Sequence, residues 1–196
     1  MRSFLKNLVF YLFYIIVLPS GLVVNLEKYF NRYSEFWFSI FSQFWSLMPG
    51  LPGCYFRASF YRQVLDYCDK ECYIGFGTIC THREVKIEKN VYIGPYSMIG
   101  SCWIKESSLI GTRVSVLSGK NQHELGADGK WTPFNPEKKT QVSIGPRAWL
   151  GEGVIIMADV GETCLIGSGS VVSSKVPAGI VGAGNPFRAI RKVTNG

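Results

Sequence analysis

Hydrophobic positions along this chain follow three successive patterns. Residues 8–18, LVFYLFYIIVL, form an unbroken apolar run, preceded by Arg2 and Lys6 and interrupted by Pro19-Ser20-Gly21. The run is shorter than the ~20 residues that cross a bilayer. Leu22-Val23-Val24 follows it where a signal peptide would carry small residues for cleavage, so cleavage is not expected. Residues 29–48 place Tyr29, Phe30, Tyr33, Trp37, Phe41, Phe44, Trp45 and Met48 largely three or four apart, with Asn31, Ser34, Glu35, Ser39, Ser42 and Gln43 between them. That spacing predicts a helix with one wide aromatic face. Such a face belongs at a lipid headgroup boundary, in a monotopic or re-entrant hairpin, with packing against the domain behind it or a transmembrane span as the alternatives. Pro49-Gly50-Leu51-Pro52-Gly53 is expected to end the helical region. A short basic helix is expected around Phe56 to Cys68, with Arg57 and Arg62 toward phosphate headgroups or solvent.

From residue 74 the period changes. Aliphatic-glycine pairs recur at a spacing built on six: Ile93-Gly94, Ile99-Gly100, Ile110-Gly111, Ile144-Gly145, Leu150-Gly151 and Ile166-Gly167. Ile74-Gly75, Ile87, Ile104, Val116, Ile156, Val160-Gly161 and Val172 extend the series, with slips of five and four residues. Six residues match neither the 3.6-residue turn of a helix nor a simple alternating hairpin. They match short parallel strands joined by tight corners, the aliphatic residue pointing inward and glycine easing the corner. Three such sides close one triangular coil, and stacked coils bury a continuous aliphatic column.

These motifs resemble those of the hexapeptide-repeat acyltransferases over roughly residues 70–193. The match is densest at 142–193, through Ile144-Gly145 with Trp149-Leu150-Gly151, then Gly167-Ser168-Gly169-Ser170-Val171-Val172, then Val176-Pro177 through Gly184-Asn185-Pro186 to Ile190-Arg191. Within that family the pattern is most similar to the sugar O-acetyltransferases of polysaccharide and O-antigen assembly. The resemblance implies a mainly β fold: a left-handed parallel β-helix, here of about four to five coils at ~18 residues per turn. An aromatic N-terminal helical region (residues 1–70) precedes the repeat domain (71–196), and a short C-terminal helix closes it.

Composition sharpens this division. Residues 1–53 carry 14 of the 28 aromatic residues but six charged ones, and residues 71–196 carry 18 of the 21 glycines. The net charge of +7 is spread along the chain without a run of five basic residues, so a nucleic-acid tail is not expected, whereas anionic small molecules or an anionic membrane surface suit it. Cys54, Cys68, Cys72, Cys80, Cys102 and Cys164 show no paired metal-ligand spacing and read as reduced, mostly buried residues. That favours the cytosolic side of a membrane. Two histidines cannot supply the three zinc ligands of a carbonic anhydrase with this fold.

The repeat breaks between Val116 and Val142. Residues 118–141, SGKNQHELGADGKWTPFNPEKKTQ, form a polar, turn-rich loop that contains His123. Moving an acyl group from a thioester to an alcohol requires a base to take the hydroxyl proton during attack, and imidazole suits this near neutral pH. The resemblance places a catalytic His on such a loop, a position His123 matches. It also makes Glu124 a candidate to orient that base and Asn121 a candidate for a substrate or oxyanion hydrogen bond. Ser118, Asp128, Trp131 and Lys138-Lys139 are candidates to shape the acceptor pocket, with a solvated loop the alternative for the lysines. His82 reads as structural or surface.

By the same resemblance the donor is acetyl-CoA, with no metal required. Its pantetheine arm is expected in a groove between subunits, beside Trp149, Gly151, Ser168 and Gly169. Arg188, Arg191 and Lys192 stand ready for its phosphates. The resemblance further implies a homotrimer with active sites between subunits and a saccharide acceptor. The N-terminal region suggests a lipid-linked acceptor at the cytoplasmic face of a bacterial inner membrane. A longer-chain acyl donor (from acyl-CoA or an acyl carrier protein) and a non-catalytic, membrane-anchored β-helical module are the alternatives.

Overall fold

A computed structural model describes residues 2–118, 123–133 and 139–193. Three helices precede sixteen short strands, numbered in chain order. Helix α1 (Arg2–Phe30) is continuous through Pro19, contrary to the break expected there. Proline removes one N–H from the ladder at a cost. Close packing on the third helix offsets it: a Cβ on Gly21 would meet Gln63 Oε1 at 2.2 Å. The Ser20 hydroxyl also donates to the Val17 carbonyl at 2.6 Å. Helix α2 spans Phe36–Ser46 and helix α3 Gly50–Val64. The Pro-Gly segment therefore opens α3 as well as closing α2. Pro52 sits in the first turn of α3, where its missing N–H has no intrahelical partner to lose. Gly53 is fixed by crowding, since a Cβ there would lie 1.9 Å from the Met48 carbonyl oxygen.

The strands wind into a parallel β-helix with three faces. The first face stacks β1 (Tyr67–Cys68), β4 (Val85–Ile87), β7 (Cys102–Ile104) and β10 (Val142–Ile144). Bridges from Ile144 to Val160 and from Val160 to Val176 continue it. The second stacks β2 (Tyr73–Ile74), β5 (Tyr92–Ile93), β8 (Leu109–Ile110), β11 (Trp149–Leu150), β13 (Leu165–Ile166) and β15 (Ile180–Ala183). The third stacks β3 (Ile79–Cys80), β6 (Met98–Ile99), β9 (Ser115–Val116), β12 (Ile155–Ile156) and β14 (Val171–Val172). This makes about six turns, more than the four to five expected. Two reasons account for the difference. The first strand begins at Tyr67, and the last coils close in 16 residues, as the pairings of Leu150 with Ile166 and Ile166 with Gly182 show.

In-register pairing puts every inward aliphatic over the next. Ile74, Ile93, Ile110, Leu150 and Ile166 form one fully buried column of the second face. Burying one such side chain stabilises the fold by about 1.5–3 kcal/mol, so the column is the main cohesive element. The corners are equally regular. Between the first and second faces the left-handed backbone conformation recurs at Asn90, Ser107, Arg147, Thr163 and Gly179. Between the second and third it recurs at Gly77, Tyr96, Arg113, Gly153 and Gly169. At the third corner no such residue recurs among those described, Gly129 serving the turn of the loop itself, and the long loop leaves the solenoid there, between β9 and β10.

The expected C-terminal helix is absent: residues Arg188–Lys192 form strand β16, antiparallel to β15. A turn through Gly184 folds the chain back onto the edge that β15, as the last strand of its face, leaves open. Pairing there satisfies backbone groups that a helix at this place would leave exposed.

The helices close the other end of the solenoid. Arg57, expected at a surface, is fully buried. Its guanidinium donates to the carbonyls of Ser46 at 3.2 Å and Met48 at 2.7 Å, closing the C-terminal end of α2, and to Ile74 of the first coil at 2.9 Å. A cation at a helix C-terminus answers both the open carbonyls and the helix dipole. Burial lowers its pKa from the ordinary Arg value, opposed by Cys54. The Tyr61 hydroxyl, also fully buried, accepts from the Cys80 backbone N–H at 2.9 Å and bonds Ser42 at 2.7 Å. All six cysteines are free, four of them buried. Burial pushes the Cys80 and Cys102 thiols well up, which removes them as nucleophiles at neutral pH.

Candidate active site

The loop leaves β9 through Ser118, whose hydroxyl is buried and accepts from the Ser101 backbone N–H at 2.8 Å. Asn121 and Lys138 lie outside the described residues. Residues 123–133 fold as a small antiparallel ribbon: Leu125 pairs with Trp131, and Thr132 N–H donates to the Glu124 carbonyl at 2.8 Å. The turn is held by Gly126 N–H to the Lys130 carbonyl at 2.8 Å and Lys130 N–H to Asp128 Oδ1 at 3.1 Å. Asp128 is thus a turn-forming residue here, while Trp131 is 70% exposed.

This ribbon sets the histidine. His123 Nδ1 lies 2.8 Å from the Thr132 carbonyl oxygen. A carbonyl only accepts, so Nδ1 carries the proton, and the neutral ring presents Nε2 with a free lone pair. The Glu124 backbone N–H donates to Thr132 Oγ1 at 2.9 Å, which fastens the same residue from its side chain. Thr132 was not singled out in the sequence. Its only signal was its place across a turn from His123, visible once the ribbon register is known.

The loop returns through Lys139, which is not solvated as the alternative for the loop lysines had it. Its side chain is 9% exposed and its ammonium pairs with Glu84 at 2.5 Å. Gln141 Nε2 donates to the Glu84 backbone carbonyl at 3.1 Å. Burial raises the Glu84 carboxyl, but the Lys139 hydrogen bond and charge outweigh it and hold the pKa below the ordinary Glu value. Neighbouring residues tie the same corner to the helices. His82 Nδ1 lies 2.7 Å from Glu35 Oε2, and the buried Arg83 pairs with Glu27. Glu35, His82 and Glu84 approach one another closely enough to suggest metal ligands, their ligand atoms lying within 4.8 Å. Arg83 pairs with Glu27 and Lys139 with Glu84, while Glu35 is held by His82 and accepts from the Arg83 backbone N–H at 3.0 Å.

The residues expected to hold the donor lie on another side. Trp149 projects from the second face, 53% exposed, between Leu109 and Leu165 in register. Gly151 and Ser168 stack at the corner between second and third faces, where a Cβ on Gly151 would meet Ser168 N at 2.6 Å. The Ser168 hydroxyl accepts from Glu152 N–H at 3.1 Å. Gly169 takes the left-handed conformation at that corner with open space around its Cα. Arg188, Arg191 and Lys192 are exposed on β16, at the end of the same second face. A cavity of about 350 Å³ beside them is lined by Lys175, Pro177, Ile180, Pro186 and Phe187. Within one chain, then, the loop of His123 leaves at the corner between the third and first faces, whereas Gly151, Ser168 and Gly169 lie at the corner between the second and third.

No protein-family model matches the chain. Galactoside O-acetyltransferase of Escherichia coli (strain K12) is 33% identical over 120 residues, covering 60% of this chain and 49% of the relative. The chain spans about half the length of the curated relatives it matches. A maltose O-acetyltransferase from Clostridium difficile 630 has the same fold, with a TM-score of 0.68 and 21% identity over 81% of this chain and 86% of that one. So does a galactoside acetyltransferase in complex with coenzyme A, with a TM-score of 0.56 and 19% identity over 80% and 79% of the two chains.

Proposed function

We propose that this chain, a homologue of the hexapeptide-repeat acetyltransferases, moves an acetyl group from acetyl-CoA to a saccharide hydroxyl, with His123 as general base. The observation that carries the reading is the Nδ1 contact to the Thr132 carbonyl, which leaves Nε2 as the basic atom. Nε2 takes the hydroxyl proton as the sugar oxygen bonds to the thioester carbonyl carbon. The tetrahedral oxyanion is held by backbone N–H groups or by Asn121. Collapse breaks the carbon–sulfur bond, and the imidazolium returns its proton to the departing sulfur. Meanwhile the Thr132 carbonyl continues to accept from Nδ1–H and supports the transient positive charge. Glu124, beside the base, is a candidate to assist that orientation.

The donor reading assigns the pantetheine arm to Trp149, Gly151, Ser168 and Gly169, and the phosphates to Arg188, Arg191 and Lys192. Placement of Gly151, Ser168 and Gly169 and of the exit of the His123 loop at different corners supports a homotrimer, in which the loop of one subunit reaches the groove of the next. The acceptor is a lipid-linked polysaccharide precursor at the cytoplasmic face of the bacterial inner membrane; the apolar helical region, without a charged residue from Asn7 to Leu26 or from Phe36 to Phe56, supports this narrower reading. A second reading, a longer acyl donor, is favoured by one feature. A cavity of about 340 Å³ between the helices and the first coils is lined by Phe10, Leu51, Tyr55, Ala58, Tyr73 and Tyr92. Competition between short- and long-chain thioesters separates the two.

His123→Ala is expected to lower kcat by roughly 10²–10⁴-fold without changing CoA affinity measured by calorimetry. Full activity in that variant removes His123 as the base.

A further inference from the structure

We infer that helices α1 and α2 dock flat on one leaflet of an anionic membrane, with α1 lying in the plane of the surface and not crossing it. By length and composition Asn7–Phe30 is able to span. Its attachments say otherwise. At one end Asn7 Oδ1 accepts from Lys70 Nζ of the first coil at 3.1 Å. At the other end Glu27 pairs with Arg83, in the corner after that coil. Between them the Tyr14 carbonyl accepts from Gln63 Nε2 at 2.9 Å, and Asn25 Nδ2 donates to the Gln63 carbonyl at 3.1 Å. Helix α3, which carries Gln63, is locked to the solenoid by Arg57 and Tyr61. Both ends of α1 thus rest on the same rigid body. A spanning α1 would either tear these contacts or carry the charged first coil into hydrocarbon, where unpaired charge and open backbone are costly.

The outward side of α1 remains. Phe10, Val17 and Val24 are buried, whereas Leu8, Leu12, Ile15, Leu22 and Leu26, at helical spacing on the other side, are each about half exposed or more. No charged residue occurs from Asn7 to Leu26 or from Phe36 to Phe56. Soluble monomers rarely expose so continuous an apolar face.

Charge identifies the occupant. From α1 to the end of α3, residues 2–64, the two carboxylates are Glu27 and Glu35, and both turn inward onto Arg83 and His82; Asp66, just beyond α3, is exposed and pairs with Lys28 at 3.7 Å. The cations Lys28, Arg32 and Arg62 are exposed, and Arg2 and Lys6 precede the apolar stretch. An apolar face bordered by more cations than outward carboxylates complements anionic lipid. The inference rests on the acetyltransferase reading only for its purpose, which is to bring the site to a lipid-linked saccharide.

The test uses the full chain with preformed vesicles. Flotation with phosphatidylcholine vesicles containing phosphatidylglycerol is expected to show binding at least ~10-fold tighter than with phosphatidylcholine alone. Equal binding to the two overturns the assignment to anionic lipid. The double variant Ile15→Asp/Leu22→Asp changes only outward positions and is expected to lose vesicle binding at least ~10-fold while CoA affinity stays unchanged. If it instead changes the number of associated subunits and leaves flotation unaltered, the face is a contact between copies and the proposal fails. A protease-cleavable tag on the N-terminus is expected to be cut from outside intact vesicles. Protection until detergent is added means that α1 spans, and overturns the flat orientation. Acetyl transfer to a soluble glycoside without vesicles tests the enzymatic reading separately, so the two can fail independently.

Discussion

At the scale of single residues, the chain places charge and strain where neighbours hold them. Arg57 is the clearest case, a guanidinium with no surface role that fastens α2, α3 and the first coil through carbonyls. Arg57→Lys keeps the charge but not the fork of donors, and is expected to destabilise the protein by about 1–3 kcal/mol because buried carbonyls lose partners. Thermal unfolding with an unchanged midpoint would contradict this. Thr163 is the opposite case, a β-branched residue at φ 54°. Left-handed backbone costs such a residue about 1–2 kcal/mol, and asparagine tolerates it better. Thr163→Asn is therefore expected to raise the melting temperature by roughly 2–4 °C, and a fall would show that the threonine side chain contributes more than its backbone costs.

Among the elements, the two regular corners and the third one behave differently. Where a left-handed residue recurs in each coil, the connection is fixed in length. The corner without one accepts the loop, and its ion pairs take over the role of the missing turn geometry. Glu84 and Lys139 are the clamp. With the Glu84 pKa lowered in the fold, its contribution is complete above the ordinary Glu value of about 4.3 and is lost as the pH falls through the lower folded value. Amide protection at Thr140 and Val142 is expected to fade in that acid range. In Glu84→Gln it should already be reduced at pH 7, and undiminished protection there would show that the clamp is dispensable.

The same comparison shows what the sequence made legible. Aliphatic-glycine pairs announce the coils because each is a local requirement of one corner and one inward position. The continuity of α1 through Pro19, the inward turn of Glu27 and Glu35, and the strand at Arg188–Lys192 depend on partners far along the chain. The expected C-terminal helix is therefore a strand and Arg57 a buried residue, because the partners that decide both lie elsewhere in the chain. The position of His123 on a loop that breaks the repeat was legible, whereas its contact with Thr132 needed the register of the ribbon.

For the molecule as a whole, a solenoid has two ends and both must be closed. At the C-terminal end β16 covers the edge of β15. Truncation after Gly184 removes it and is expected to produce larger associated species by light scattering, since an open edge templates further pairing; a truncated chain of unchanged size would show that the turn alone protects it. At the other end the helices, with Arg57 and Tyr61, cover the first coil. That cap precedes every coil in the chain and so leaves the ribosome ahead of them. Each coil contacts mainly its predecessor, and the cap is completed by the first coil, through Arg57 to the Ile74 carbonyl and Arg83 to Glu27. Later coils are then wound onto a spool that the cap and the first coil fix together, with the direction of growth set by the order of translation.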